Sequence, residues 1–143
     1  MLGSMGMAVP FSLGIALATE KTVIAIEGDG GCLMNLGTLG TVARYAPANL
    51  AVVILDNASY GSTGGQSSAT ADGVDLSAVA RACGVQNIAR FSTSPTEIVE
   101  WIRQPGPRLA VVDTAPDCAT EAFVSLQPST IARRLESFLG RKS

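Results

Sequence analysis

The residues best suited to chemistry in this chain are Asp29, set in the glycine turn Gly28-Asp29-Gly30-Gly31, and Asn57, 28 positions later. The turn is not a lysine-bearing phosphate loop, since no Gly-Lys-Ser/Thr exists. Nor is it the dinucleotide fingerprint, because Leu33 stands where the third glycine belongs. Gly30, Gly31 and Cys32 lead straight into a helical pattern, so their backbone N–H groups can face an anion at the positive end of the helix dipole. A carboxylate beside an anion site is repulsive unless a cation lies between them, so the simplest physical account places a divalent metal on Asp29, with the Asn57 carbonyl as a second, neutral oxygen ligand. Magnesium takes few protein ligands and keeps several phosphate or water oxygens, which suits this pair better than calcium does. The alternative is that Asp29 and Asn57 make only turn hydrogen bonds.

These residues need a scaffold, and the hydropathy pattern supplies one. Pro10 reads as a first-turn residue of a helix running to about Thr19, and Thr22 to Ile26 as a short buried strand of β-branched character. After the glycine turn, Leu33, Leu36, Leu39 and Val42 recur at helical spacing until Tyr45 and Pro47 close the segment. Leu50 to Leu55 is a continuous apolar run, expected of a central parallel strand covered on both faces, and Asp56 to Asp72 is a polar loop. Asp75 caps a predicted helix through Cys83 with Gly84 as its stop, and Val85 to Arg90 is a weaker strand. Ser94-Pro95-Thr96-Glu97 is a capping box opening a helix to Arg103, and Leu109 to Asp113 is another strand. Pro128 opens an amphipathic helix with Ile131, Leu135, Phe138 and Leu139 on one face. Alternating strands and helices predict an α/β fold, a parallel sheet with helices on both faces, whose ligands sit beyond the carboxyl ends of the strands. Both glycine-rich loops occupy that position.

Composition narrows the function. The 143 residues are the length of one domain, 1–143, with no internal repeat or linker. Charged residues are 15% against about 25% in a typical soluble domain, while hydrophobic residues reach 47%, which suggests surface buried against a partner. A net charge of −2 with no basic block argues against nucleic acid. The absence of histidine removes Ser-His triads, His-ligated zinc and imidazole catalysis from anything this chain does alone. Cys32, Cys83 and Cys118 are odd in number and widely spaced, which fits reduced, intracellular, core-filling thiols. Residues 1–18 end in a signal-peptidase-like Ala16-Leu17-Ala18 but lack a positively charged start, and their apolar run is far below the ~20 residues that span a bilayer. A cytoplasmic chain with no membrane contact is expected.

Gly28-Asp29-Gly30, about two dozen residues, then Leu55-Asp56-Asn57 resembles the motif of thiamine diphosphate-dependent enzymes. The resemblance implies that Asp29, Asn57 and the backbone carbonyl of Ser59 hold Mg²⁺. Asp56 departs from it mildly, since many members have Asn there. Gly3-Ser4-Met5-Gly6 is similar to the stretch that precedes the motif, in which a glycine carbonyl binds the aminopyrimidine and a bulky apolar residue props the cofactor in a V shape; Gly3 and Met5 match those roles. The cofactor-binding set so implied is Gly3, Ser4, Met5, Gly30, Gly31, Cys32, Tyr60, Gly61, Ser62 and Thr63. Tyr60 and Gln66 either approach the substrate or are plain loop residues.

Tyr60-Gly61-Ser62-Thr63-Gly64-Gly65-Gln66 resembles the loop of sulfopyruvate and phosphonopyruvate decarboxylases, and also that of the β chains of 2-oxoacid:ferredoxin oxidoreductases. The start of the chain, Leu33 to Gly37, and the tail from Pro128 to Gly140 lean to the decarboxylases, and the cluster-ligating cysteines common in the oxidoreductase chains are missing. The resemblance covers essentially the whole chain, but only as a thiamine diphosphate-binding fold lacking the family's usual first helix and strand. It implies a β-type subunit that decarboxylates a small 2-oxo acid once a separate pyrimidine-binding subunit supplies the activating Glu, in an α2β2 or larger hetero-oligomer. The oxidoreductase subunit and a non-enzymatic nucleotide-binding module are the alternatives.

Overall fold

The structure, a computed structural model, describes residues 4–92, 94–115 and 126–140. Four parallel strands form the sheet: β1 (Val23–Gly28), β2 (Leu50–Asp56), β5 (Asn87–Phe91) and β6 (Arg108–Asp113), in the order β1-β2-β6-β5. The register runs Ala25 to Val52, Val52 to Leu109 and Ile88 to Leu109, so one set of alternating residues from every strand shares a face. On that face Ala25, Leu50, Val52, Ile54, Leu109 and Val111 pack against three helices. These are α1 (Ala8–Ala18) through Val9 and Leu13, α3 (Gly37–Tyr45) through Leu39 and Val42, and α4 (Leu76–Ala82) through Leu76 and Ala80. The opposite face carries α5 (Pro95–Ile102): Trp101 meets Phe91 edge-on at 6.4 Å, and the buried Arg108 guanidinium donates to the Trp101 and Ile102 carbonyls at 3.2 and 2.7 Å. Helices therefore lie on both faces, and β2 is continuously apolar because it is buried on both. At β1 the second face is open, with Ile24 and Ile26 46% and 62% exposed.

Three local departures from the sequence reading have physical causes. α1 begins at Ala8, ahead of Pro10, because the Glu27 carboxylate accepts the Ala8 N–H at 3.0 Å; Pro10 is tolerated inside the first turn, where N–H groups lack intrahelical partners. The helix expected after the glycine turn is two helices, α2 (Asp29–Met34) and α3, broken where Asn35 leaves helical geometry and donates its amide to the Gly6 carbonyl at 3.1 Å. The polar loop after β2 contains a two-rung antiparallel hairpin, β3 (Ser59–Tyr60) with β4 (Gln66–Ser67), that no apolar alternation announces. Helix α6 (Pro128–Phe138) forms where its first-turn proline predicts, yet Ile131 and Phe138 of its apolar stripe remain exposed. Among the described residues no helix is long and apolar enough to cross a membrane.

Candidate cofactor site

The site forms at the carboxyl ends of β1, β2 and β6, around a cavity of about 550 Å³. β1 passes into α2 with no intervening loop, so Asp29 is the first helical residue and its side chain is 1% exposed. The two glycines that follow are required by close approach. A Cβ on Gly30 would strike the Tyr60 ring, and one on Gly31 would strike the Glu27 carboxylate. Glu27 in turn fastens the start of α1, while Asn35 holds the Gly6 turn, where φ is +82°. Together they hold Met5 on the cavity wall.

β2 ends in two successive side-chain turns. Asp56 Oδ1 accepts the Ala58 N–H at 3.2 Å, and Asn57 Oδ1 accepts the Ser59 N–H at 3.1 Å. Between them Ala58 adopts left-handed backbone (φ +56°), an uncommon conformation for a residue with a Cβ. The loop is pinned by the Ser68 N–H, which donates to the Ala58 carbonyl at 3.1 Å. The Ser68 side chain then reaches across to the other half of the site: its hydroxyl donates to Asp29 Oδ2, and Thr70 Oγ1 lies 3.1 Å from the same oxygen and 2.8 Å from Asp56 Oδ1. Beyond Asp56, Arg90 bonds Asp113 through Nε and Nη2, and its guanidinium also pairs with Asp56 at 3.4 Å and Asp75 at 3.6 Å. The Asp113 hydrogen bonds, with the charges of Asp56 and Asp75, raise the Arg90 pKa above its ordinary value.

The cavity gathers Met5, Asp29, Gly30, Gly31, Asn57, Ser59, Tyr60, Gly61 and Ser62 from the sequence-derived set. Cys32 and Thr63 are not on its wall. Cys32 packs in the core, where burial, then the charges of Glu27, Cys83 and Asp29, push its thiol up to about 12. The Thr63 hydroxyl donates at the hairpin tip to the Tyr60 carbonyl at 3.3 Å. Ser4 is exposed and off the cavity wall, and Gly3 and Cys118 lie outside the described residues. The cavity adds Gly28 and Leu55 of the motif, and Glu27, Thr114 and Ala115, which the sequence does not mark. Thr114 follows the β6 strand end, the position the parallel-sheet rule marks for ligands.

Two features, one of this wall and one of the side chains that contact Asp29, fit a cation. The wall's charged side chains are Glu27 and Asp29, with no lysine or arginine among the described lining residues, so an anionic ligand meets like charge. In addition, Asp29 Oδ2, Ser68 Oγ, Thr70 Oγ1 and Asp56 Oδ1 make four contacts within hydrogen-bonding distance. With both carboxylates ionised, two hydroxyl protons serve those four contacts. A buried cluster this rich in acceptors is stabilised by positive charge on Asp29. Among the described residues no three His, Cys, Asp or Glu side chains are grouped so as to hold a metal ion, so a metal held here draws its other ligands from neutral oxygens.

The family model for the C-terminal TPP-binding domain of thiamine pyrophosphate enzymes matches residues 1–113. The chain belongs to that family. It is 42% identical over 134 residues to the sulfopyruvate decarboxylase subunit beta of Methanothermobacter thermautotrophicus, covering 94% of this chain and 71% of that subunit. Over 142 residues it is 39% identical to the phosphonopyruvate decarboxylase of Streptomyces hygroscopicus, covering 96% of this chain but 35% of that enzyme. A provisionally assigned thiamin diphosphate-dependent enzyme from Mycobacterium smegmatis matches in structure with TM-score 0.61 and 28% identity, over 80% of this chain and 23% of that one. The thiamine diphosphate-binding domain thus spans about a third or less of the larger relatives, and its four-stranded parallel sheet is that family's fold.

Proposed function

We propose that residues 1–143 form one cofactor-binding domain, the β-type part of a cytoplasmic thiamine diphosphate-dependent 2-oxoacid decarboxylase of the sulfopyruvate or phosphonopyruvate type. The observation that carries the metal assignment is the wall just described: one buried carboxylate, Asp29, lines the same cavity as Asn57 and Ser59, with no basic side chain among its described residues. On this reading those three residues hold Mg²⁺, and Gly30, Gly31, Gly61 and Ser62 border the diphosphate. Met5 props the cofactor and Tyr60 stands nearest the substrate side. Bound thiamine diphosphate supplies the nucleophilic carbon and the electron sink for CO₂ loss from the 2-oxo acid. This chain's residues bind and orient: Asp29 neutralises the metal, Asn57 adds an uncharged ligand, and the glycines let backbone approach the anion.

The beta-subunit naming of the Methanothermobacter relative supports a separate pyrimidine-binding partner, which would bring the activating Glu within a hetero-oligomer, α2β2 or larger. The test is CO₂ release from sulfopyruvate and phosphonopyruvate by the chain purified with its native partner, with thiamine diphosphate and Mg²⁺ present and no electron acceptor. Decarboxylation of either substrate is the expected result. Turnover that requires an electron acceptor, or nucleotide binding in place of thiamine diphosphate, overturns it.

A further inference from the structure

We infer that Ser68 and Thr70 are positioning residues for the metal, fixing the orientation of the Asp29 carboxylate so that one oxygen is left for the cavity and locking Asp29 to the Asn57 loop. The inference rests on the metal reading above and extends it to two residues outside the motif. Both hydroxyls converge on one oxygen, Oδ2, while Oδ1 accepts no hydrogen bond among the described residues. A carboxylate on a short side chain can rotate about its terminal torsion, which changes whether one oxygen or both reach the cavity. Ser68 donates to Oδ2, and the Thr70 hydroxyl shares its one proton between that oxygen and Asp56 Oδ1, so the pair favours the carboxylate orientation that leaves the other Asp29 oxygen for a cation. Outer partners of this kind orient a ligand and raise its basicity, and their loss typically costs about 10–100-fold in metal affinity.

Ser68 also joins the two halves of the site. Its backbone N–H holds the Ala58 carbonyl, one residue from both Asn57 and Ser59, while its hydroxyl holds Asp29 from another element. Thr70 extends the tie to Asp56 at the end of β2. Removing either hydroxyl therefore loosens the spacing between Asp29 and the Asn57–Ser59 turn without touching a metal-facing atom.

The test uses Mn²⁺ as a probe, titrated into the assembled enzyme with thiamine diphosphate and followed by electron paramagnetic resonance of the free ion. Ser68→Ala and Thr70→Val should each raise the half-saturating Mn²⁺ concentration about tenfold or more, and Thr70→Ser should restore tight binding because it keeps the hydroxyl. Wild-type affinity in Ser68→Ala and Thr70→Val, alongside no binding in Asp29→Ala, overturns the positioning role and leaves the metal assignment standing. No Mn²⁺ binding by the wild-type enzyme overturns both. Circular dichroism checks folding, and if Thr70→Val does not fold, Ser68→Ala decides by the same tenfold criterion.

Discussion

The ring of Tyr60 rests against the backbone of Gly30 so closely that a Cβ on residue 30 would overlap ring atoms Cδ1 and Cε1. The contact joins the start of α2 to the hairpin strand β3, two elements 30 residues apart in the chain that share the cavity. Gly30→Ala should therefore push the ring off the cavity wall, at a stability cost of about 1–3 kcal/mol from overpacking and with weaker thiamine diphosphate binding. Tyr60→Ala in the same chain removes the overlap, so the double variant should be more stable than the sum of the single costs allows. Additive free energies in urea unfolding would refute the contact.

Asp29→Asn separates folding from function. The carboxamide brings two N–H donors to a cluster in which two hydroxyl protons serve four contacts, so it can donate to the Ser68 and Thr70 oxygens and free their protons for other acceptors. In metal-free protein the variant should gain about 0.5–2 kcal/mol, the range of typical single stabilising changes. The same variant should lose Mg²⁺-dependent cofactor binding, because a neutral amide cannot compensate the metal's charge. Denaturant midpoints without metal and calorimetric titration with thiamine diphosphate and Mg²⁺ read the two effects; a destabilised variant that still binds would contradict both.

The site was legible in the sequence where chemistry demanded unusual residues. Asp29 between glycines and Asn57 at a strand end carry signals independent of context, and the cavity contains both. Ser68 and Thr70 were invisible because serine and threonine in a polar loop signify nothing until folding brings them 39 and 41 residues back to Asp29. Glu27 escaped notice for a related reason: its role as an anchor for α1 depends on the Ala8 N–H, 19 residues away. The strands were readable because burial on both faces writes itself as apolar runs. The break between α2 and α3 was not, since helical spacing persists across Asn35 and the cause is a long-range bond to Gly6.

Cys32 gives the fold an alkaline weakness. Its thiol is held up near 12 in the folded protein against 9.0 for an ordinary one, so unfolded chains lose the proton first as pH rises. Stability is then full below pH ~9 and falls by roughly 1.4 kcal/mol per pH unit between the two values. Between pH 8 and pH 10, the wild-type protein should lose about 1.4 kcal/mol more than Cys32→Ala in urea unfolding. In native protein at pH 8, iodoacetamide should reach the half-buried Cys83 before Cys32, as read by peptide mass spectrometry. Equal slopes with pH in both proteins would mean that the thiol is not shielded.

Arg90 accommodates the carboxylate of Asp56 at the end of β2. Asp56 is buried at 7% exposure, one of its oxygens is engaged by Thr70 and the Ala58 N–H, and the other faces the Arg90 guanidinium at 3.4 Å. Arg90→Met would leave that carboxylate with no cation among the described residues. Breaking a buried pair costs about 3–5 kcal/mol, but the Arg90 side chain is 43% exposed and solvent screens it, so about 1–3 kcal/mol is expected. Asp56→Asn in the Arg90→Met background removes the unpaired charge and should recover a substantial part of the loss, whereas Asp56→Asn alone should change little. Because part of the attraction runs through solvent, the penalty for Arg90→Met should also shrink between low salt and 1 M salt, where the screening length is about 3 Å. Urea unfolding of the four proteins at both salt concentrations closes the cycle, and a coupling free energy of zero between positions 56 and 90 would show that Arg90 serves Asp113 and Asp75 alone.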